Sequence, residues 1–406
     1  MRLGPKTRPP RGLRKTTRLE GPVAARNRHT SGTGPEFRRR RGSHYDTEIL
    51  AAHTPALFAA AVDRACALLR AGEIVALPTE TVYGLAANAH DAKAVARLFA
   101  AKGRPAHNPI IVHVANVAMA RRCVATWPRA AQRLARAFWP GPLTLVLPKA
   151  TTIPHIVTSG GATVGVRCPR HSFIRSVILE CGFPLAAPSA NRSTALSPTR
   201  AEHVRASLGG RIPLIVDGGP ARVGIESTVV DLTARPLRVL RSGMIHRDAL
   251  TAVLGVSGGE IRIDQTEGGE PVAGAPRRSP GQLARHYAPR TPLALLEWND
   301  EADLRRQVRR LGWARRAVQI LAHTNIPGRA GWGGVGVIPR HPEGCAQALY
   351  AELHRCDQQG GAGIVIEAVP EDPRWEGIAD RLRRASVPRP AQRRTSRDRR
   401  AGLQSS

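Results

Sequence analysis

Lys102-Gly103-Arg104-Pro105 places two cations on either side of one glycine, just past the end of a helical pattern. Arg offers a planar fork and Lys a point charge, a pairing that suits a chain of phosphates. Basic residues there also complement a helix C-terminus, which is the plain alternative. The stiff Gly-Arg-Pro turn, followed by Asn108, favours phosphate. The run from Thr163 to Arg167 ends an apolar stretch on a guanidinium. Burying it is costly unless it is paired, either with a protein carboxylate or with a substrate carboxylate. Pro78-Thr79-Glu80-Thr81 gathers two hydroxyls and a carboxylate where another apolar stretch stops. Capping of that turn by its own threonines is the alternative. Ala187-Pro188-Ser189-Ala190-Asn191, with Ser197 beyond it, combines small side chains with neutral hydrogen-bonding groups. Glu226-Ser227-Thr228 and Arg241-Ser242-Gly243 border two more apolar stretches. Ordinary turn chemistry accounts for each of these last three taken alone.

The elements that must carry these groups are read from periodicity. Pro55–Arg70 has Phe58, Val62, Cys66 and Leu69 near one face and reads as a helix ended by Gly72. Glu73–Leu77 reads as a buried strand, and Asp91–Ala101 as a helix with Asp91 as its N-cap. Strands follow at Ile110–Val114, Leu143–Leu147, Val164–Arg167, Leu185–Ala187, Ile212–Val216, Thr228–Asp231 and Leu237–Leu240. Helices at Arg129–Phe138, His171–Glu180 and Thr199–Leu208 are interleaved with them. This mixture of αβ and ββ order predicts an α/β unit around a twisted mixed sheet, spanning 47–258. The polar clusters fall at strand ends and in the loops after them, where open α/β folds bind ligands. After a Gly-, Glu- and Pro-rich linker and connector, 259–290, a regular alternation resumes. Strands Leu293–Leu296, Ala317–Leu321, Val335–Ile338 and Gly363–Glu367 alternate with helices Asp300–Leu311, Gly344–Cys356 and Gly377–Ala385. That pattern predicts a smaller C-terminal doubly wound α/β domain over 291–386.

The sequence lacks a Walker A pattern, a strand–GxGxxG–helix fingerprint, a GxSxG elbow and HExxH. By these signatures it is not a P-loop NTPase, a Rossmann dehydrogenase, a common hydrolase or a zincin. The clusters do, in order, resemble the YrdC-type L-threonylcarbamoyladenylate synthases. The matching segments are PTETVYGL, AKGRPAHNP, WPGPLTLVLP, VGVRCP, APSAN and IESTVVD, closing on RSG, across roughly Ile74–Gly243. SPGQLARHYAP and ADRLRRAS resemble the connector and C-terminal domain of the long, two-domain form. Pro373-Arg374-Trp375-Glu376 stands where that form often has a Gly-rich neutral stretch.

The resemblance implies a basic cavity in which L-threonine, bicarbonate or CO2, and ATP give threonylcarbamoyl-AMP and pyrophosphate. Downstream, it implies tRNA threonylcarbamoyl transferase machinery acting on ANN-decoding tRNAs. Carried over by motif position, Thr79, His113, Arg167, Ala187 and Ser227 contact threonine. Lys102, Arg104, Asn108, Thr163, Ser189, Asn191, Ser197 and Arg241 contact ATP. Lys102 and Arg104 are the candidate catalytic pair, acting by charge neutralisation with no general base. Mg2+ enters with ATP, held largely by the nucleotide. Read without the family, His113 is a hydrogen-bonded core residue of its strand; the family position makes it a ligand. For Tyr287, contact with the nucleotide and packing between domains both stand.

The chain has 406 residues, with 61 Lys and Arg against 31 Asp and Glu. The ends account for much of that excess. Residues 1–42 hold 13 basic and 2 acidic residues, and 387–406 hold 6 and 1. Both ends are poor in apolar periodicity and are expected to be disordered basic extensions that bind RNA weakly. The first is expected to be dispensable and to lie upstream of the physiological start. No apolar run is long enough to span a membrane. The six cysteines form no CxxC pair, so reduced thiols in a cytoplasmic protein are expected. A non-catalytic protein of the same fold, binding double-stranded RNA or tRNA, is the main alternative. RNA, however, needs no small polar niche, and 4% aromatic residues give little stacking surface. A carbamoyl-adenylate-handling module of the hydrogenase-maturation kind is a second alternative. It is expected beside zinc fingers, whose CxxC pairs are missing.

Overall fold

The computed structural model describes residues 39–40, 44–264 and 286–387. The expectations for 1–38 and 388–406, and for the Ser279–Arg285 part of the connector, lie outside the described residues.

Eleven strands form one mixed sheet. In chain order they are β1 (Glu48–Ala51), β2 (Val75–Leu77), β3 (Gly84–Asn88), β4 (Val112–His113), β5 (Leu143–Pro148) and β6 (Thr163–Arg167). Then come β7 (Leu185–Ala186), β8 (Leu214–Asp217), β9 (Thr228–Asp231), β10 (Leu237–Arg241) and β11 (Ile261–Ile263). Their order across the sheet is β11-β10-β9-β5-β6-β4-β7-β3-β2-β8-β1. Pairs β4·β6, β5·β9 and β8·β1 are parallel, and β2·β3, β5·β6 and β9·β10 antiparallel. The register sets Val112 against Val166 and His113 against Arg167. Directly opposed residues share a face, so His113 and Arg167 must project the same way.

The helices follow their local chemistry. α1 (Pro55–Arg70) starts with Thr54 accepting from Leu57 N and buries Val62, Cys66 and Leu69. α2 (Ala92–Lys102) is capped by Asp91, which accepts from Lys93 N and Ala94 N. It ends on Gly103, whose left-handed φ of 59° turns the chain sharply and aims Arg104 back towards the sheet. α5 (Ser172–Cys181) is capped by His171, and α6 is Ala201–Leu208.

A second sheet of four parallel strands has the order β12-β15-β13-β14. These are β12 (Leu293–Leu296), β13 (Val318–Ala322), β14 (Gly334–Val337) and β15 (Gly363–Glu367). Its two faces follow strand alternation. Leu293, Ile364 and Ile366 pack with α9 (Pro342–Gln359) and α10 (Glu376–Ala385). Ala294, Leu296 and Val365 pack with α8 (Glu301–Arg310). The doubly wound arrangement is therefore present, and both sheets lie in one compact unit.

Some segments differ from their sequence reading. Gly84–Asn88 is a strand, although its Gly-Leu-Ala-Ala-Asn composition carries almost no strand preference; tertiary pairing with Val75–Leu77 imposes it. Ile261–Ile263, inside the segment read as linker, adds a parallel strand beside Leu237–Val239. Val117–Cys123 and Arg247–Leu254 are helices (α3 and α7) that the periodicity did not reveal. Among the described residues no helix is long and apolar enough to cross a membrane.

Candidate functional site

The ends of β2, β4, β6, β9 and β10, with the loops after β7 and α2, enclose a narrow cavity. All five residues placed on threonine line it: Thr79, His113, Arg167, Ala187 and Ser227. Of those placed on ATP, Arg104, Ser189, Arg241 and Tyr287 line it. Lys102, Asn108, Thr163, Asn191 and Ser197 do not form its wall. Thr163 instead faces a separate small cavity with Ile111 and Val146. Small residues keep the floor open. Gly84 is bridged to Ser189, and a Cβ on it would stand 3.4 Å from the Ala187 side chain.

Arg167 is the charged centre of one end. Its Nη2 lies 2.7 Å from Glu80 Oε1, Nη1 donates to Thr81 Oγ1 at 2.9 Å and Nε donates to Gly141 O at 3.2 Å. The protein thus supplies the carboxylate partner that burial requires. Nη2 meets Glu80 as a close ion pair and has no other acceptor among the described residues, so it keeps a donor direction free. Burial opposes ionisation of Glu80, but the Arg167 charge and nearby backbone N–H groups outweigh it and hold the carboxyl below its usual range. Burial, aided by the Arg167 charge, drives the His113 pKa down to about 3, so its imidazole is neutral. Its Nδ1 has no partner among the described residues. The Thr79 hydroxyl donates to Val82 O at 2.6 Å and accepts from Thr81 N and Val82 N. This is the self-capped turn that the sequence left open, and it presents Thr79 to the cavity at the same time.

The other end is cationic. Arg241 donates from Nε to Ser227 O and from Nη2 to Ser227 Oγ, both at 3.0 Å. Thr144 Oγ1 lies 2.8 Å on the far side of that hydroxyl. Arg104 donates from Nε to Asn108 O at 2.9 Å and from Nη2 to Pro109 O at 2.7 Å, which locks the Gly-Arg-Pro turn. Burial brings its pKa down to about 10, leaving it charged at neutral pH. Lys102 sits behind the wall, fully enclosed, and donates to the carbonyls of Ser189 and Asn191. Burial first, then the Arg104 charge, pushes its pKa well below the usual lysine range. Lys102 therefore holds the Ser189–Asn191 loop, while Arg104 faces the cavity. Asn108 is buried with neither polar side-chain atom partnered among the described residues, and Asn191 donates from Nδ2 to Ala195 O at 2.7 Å.

Tyr287 closes the cavity. Its φ of 60° is left-handed, a conformation costly for a bulky residue. It is buried, and its hydroxyl has no partner among the described residues. His286 packs edge-on against its ring, the centroids 3.9 Å apart. Arg381 Cζ lies 5.1 Å from the ring centroid, and the Tyr350 ring is 6.2 Å away. Both readings of Tyr287 are thus compatible: it lines the cavity and packs against the second sheet.

Glu80, Thr81, Glu226 and His286, which no motif reading assigned to a ligand, all border this site. For Glu80 and Glu226 the available signal was a carboxylate set close to a buried apolar stretch, after Ile74–Leu77 and before Val229–Val230. Such a group must have a partner. Among the described residues no group of three His, Cys, Asp or Glu could hold a metal ion. The two acidic groups at the cavity, Glu80 and Glu226, are each paired with an arginine.

Residues 67–243 match the Sua5/YciO/YrdC family, described as Telomere recombination. Residues 245–387 match the family described as Threonylcarbamoyl-AMP synthase, C-terminal domain. The chain belongs to the Sua5-type threonylcarbamoyl-AMP synthases. The threonylcarbamoyl-AMP synthase of Pyrococcus abyssi is 40% identical over 335 residues, covering 79% of this chain and 93% of that protein. That of Bacillus subtilis is 38% identical over 331 residues, covering 80% and 92%. The crystal structure of P. abyssi Sua5 complexed with L-threonine matches with a TM-score of 0.75 and 37% identity, over 84% of this chain and 98% of that one. Threonylcarbamoyl-AMP synthases are nucleotidyltransferases of threonylcarbamoyladenosine biosynthesis in tRNA, and they use ATP.

Proposed function

We propose that the cavity binds L-threonine at its Arg167 end and ATP along the side walled by Arg104 and Arg241. The observation that carries this reading is the convergence of the five threonine candidates with these arginines on one cavity. The threonine amine forms a C–N bond to CO2 with release of a proton, or to bicarbonate with release of water, giving N-carboxythreonine. A carbamate oxygen then forms a bond to the α-phosphorus of ATP as the bond to the bridging β-phosphate oxygen breaks. Pyrophosphate leaves, and threonylcarbamoyl-AMP passes to the tRNA threonylcarbamoyl transferase machinery in the cytoplasm.

Arg167 Nη2, with its unused donor direction, takes the threonine carboxylate, while Glu80 keeps the guanidinium neutralised in the empty state. Neutral His113, Thr79 and Ser227 offer uncharged hydrogen bonds around the rest of threonine, and Ala187 keeps room for it. Arg104 and Arg241 meet the phosphates. Lys102 acts from behind the Ser189–Asn191 loop. Phosphate charge close by favours its protonated form against the effect of burial. Asn108, Ser197 and Asn191 position the loops on this side, and Thr163 is placed on ATP by motif position alone. Prepositioned cations neutralise the departing pyrophosphate without reorganising. No general base is needed once the carbamate exists. With both cavity carboxylates paired to arginines, Mg2+ arrives as part of the Mg–ATP substrate, bound by phosphate oxygens.

The test incubates the full chain with L-threonine, bicarbonate, Mg2+ and labelled ATP, with mass spectrometry of the products. Threonylcarbamoyl-AMP and pyrophosphate in equal amounts are expected. ATP left intact, or cleaved to ADP, would overturn the reading.

A further inference from the structure

Arg381, in α10, is among the largest fully buried side chains, yet it belongs to the second sheet's layer and not to the cavity wall. Its guanidinium reaches across to the first sheet. Nε donates to Glu226 Oε2 at 2.7 Å, Nη2 to Glu226 O at 3.3 Å and Nη1 to Ser242 O at 2.8 Å. Nη1 also donates to Asp380 Oδ2 at 2.8 Å and to Gly377 O at 3.3 Å. Glu226 immediately precedes Ser227, and Ser242 immediately follows Arg241. Arg381 therefore spans the open end of the β9·β10 pair, one residue outside the Ser227–Arg241 bonds.

Glu226 carries the connection further. Its Oε1 accepts from Ser197 Oγ at 2.5 Å, and its Oε2 also accepts from Tyr350 OH at 3.2 Å. The Arg381 guanidinium also stands over the ring of Tyr287. One buried cation thus fixes Ser197, Arg241 and Tyr287, all on the nucleotide side. Among the described residues it makes no hydrogen bond or ion pair with Thr79, His113 or Arg167, and it meets the threonine candidates only at one remove, at Ser227, which follows Glu226 and is held by Arg241. Backbone packing holds it in place. A Cβ on Gly377 would lie 2.8 Å from Gly243 Cα, so the start of α10 lies directly on the Arg241-Ser242-Gly243 turn.

We propose that Arg381 is a positioning residue for ATP: through Glu226 and Ser242 it sets the geometry of Ser197 and Arg241, and it leaves Arg167, the charged centre of the threonine end, untouched. This rests on the assignment of those two residues to the nucleotide. A plain anchor between sheets would weaken both substrates together, or only the fold. A positioning role separates them.

The experiment measures equilibrium binding of ATP and of L-threonine to the full chain, by calorimetry, for wild type, Arg381→Lys and Tyr350→Phe, with melting temperatures alongside. Arg381→Lys keeps the charge and loses the fork. Losing charge-assisted hydrogen bonds in a buried network predicts ATP binding at least about tenfold weaker, with threonine binding within about twofold of wild type. Equal losses for both ligands, or no loss in a folded variant, would overturn the proposal. Should Arg381→Lys fail to fold, Tyr350→Phe decides. It removes one bond to the same carboxylate and keeps the packing. About threefold weaker ATP binding supports the role, and unchanged ATP binding refutes it. Failure of the functional reading is separate, because wild type would then form no threonylcarbamoyl-AMP whatever the variants bind.

Discussion

The threonine end of the cavity is assembled inside the eleven-stranded sheet, whereas the nucleotide end leans on the second sheet. Arg167 and His113 oppose each other on β6 and β4, Thr79, Glu80 and Thr81 follow the end of β2, and the side-chain contacts of Arg167 stay within that sheet. Ser197 and Glu226 bond across to His354, Tyr350 and Arg381. In the proposed function the small substrate is held within one sheet, and the large one where two layers meet. Substitutions at the first end should therefore act on one ligand, while those along the seam should act on ATP and on stability together.

The largest expected effect is at Arg167. Arg167→Ala removes one partner of a buried charged pair, a loss of roughly 2–5 kcal/mol. Threonine KM should rise steeply, ATP affinity should stay close to wild type, and Glu80, left unpaired, should lower the melting temperature. An unchanged threonine KM in a folded variant would erase the contrast between the two ends.

Next come the cations of the Gly-Arg-Pro turn. Arg104→Ala should cut single-turnover adenylate formation on the order of 100-fold, the loss typical of one electrostatic donor. Lys102→Ala should also slow it, with an added loss of order in the Ser189–Asn191 loop, and Lys102→Arg should retain part of the rate. A helix-terminus role alone would be worth only about 0.3–1 kcal/mol. Wild-type rates with normal melting in both alanine variants would remove these residues from the chemistry.

The seam should also respond to pH. His203 and His354 stack 3.8 Å apart, one from each layer. Burial, with the neighbouring His354, lowers the His203 pKa to about 3, and burial also lowers that of His354. The unfolded chain takes up protons near the ordinary histidine value of about 6.5, while the folded chain resists them. Stability is thus intact above about 6.5 and drains away as pH falls towards 3. Melting temperature should fall over that window, and less steeply in His203→Asn. A pH-independent melting temperature there would show that the stack carries no such penalty.

The smallest effect should come from the ends. Removing 1–38 and 388–406 should leave adenylate formation intact and make nonspecific RNA binding weaker and less salt-sensitive. Val387 is kept because its N–H donates to Leu293 O at 2.9 Å. Activity lost on truncation would show that a working element lies in those ends.

Much of this was legible in the sequence where function and local pattern coincide. Asp91 before Ala92–Lys102, Gly103 after it, and the alternation in Leu293–Leu296 each announce an element by its own chemistry. Gly84–Asn88 did not, since its small residues are held as a strand by neighbours distant in the chain. The threonine end was readable because its residues sit inside compact motifs. The partner of Arg167 was not readable, because the sequence alone cannot choose between Glu80 and a substrate. Still less readable was the link from Glu226 to Arg381, 155 residues apart, which no periodicity encodes.

Gly224 gives the seam a mechanical property. With φ +85°, it lies so close to α9 that a Cβ there would stand 2.2 Å from Ala346 O and 2.4 Å from Gln347 Cα. Backbone meets backbone with no side chain to yield, so the two layers are already at their limit of approach. The joint works as a hard stop: the layers can part, but they cannot press closer to grip a ligand. Room for a nucleotide is therefore expected at the rim of the joint, where Tyr287 sits against the cavity, and not from a clamping stroke of one sheet on the other.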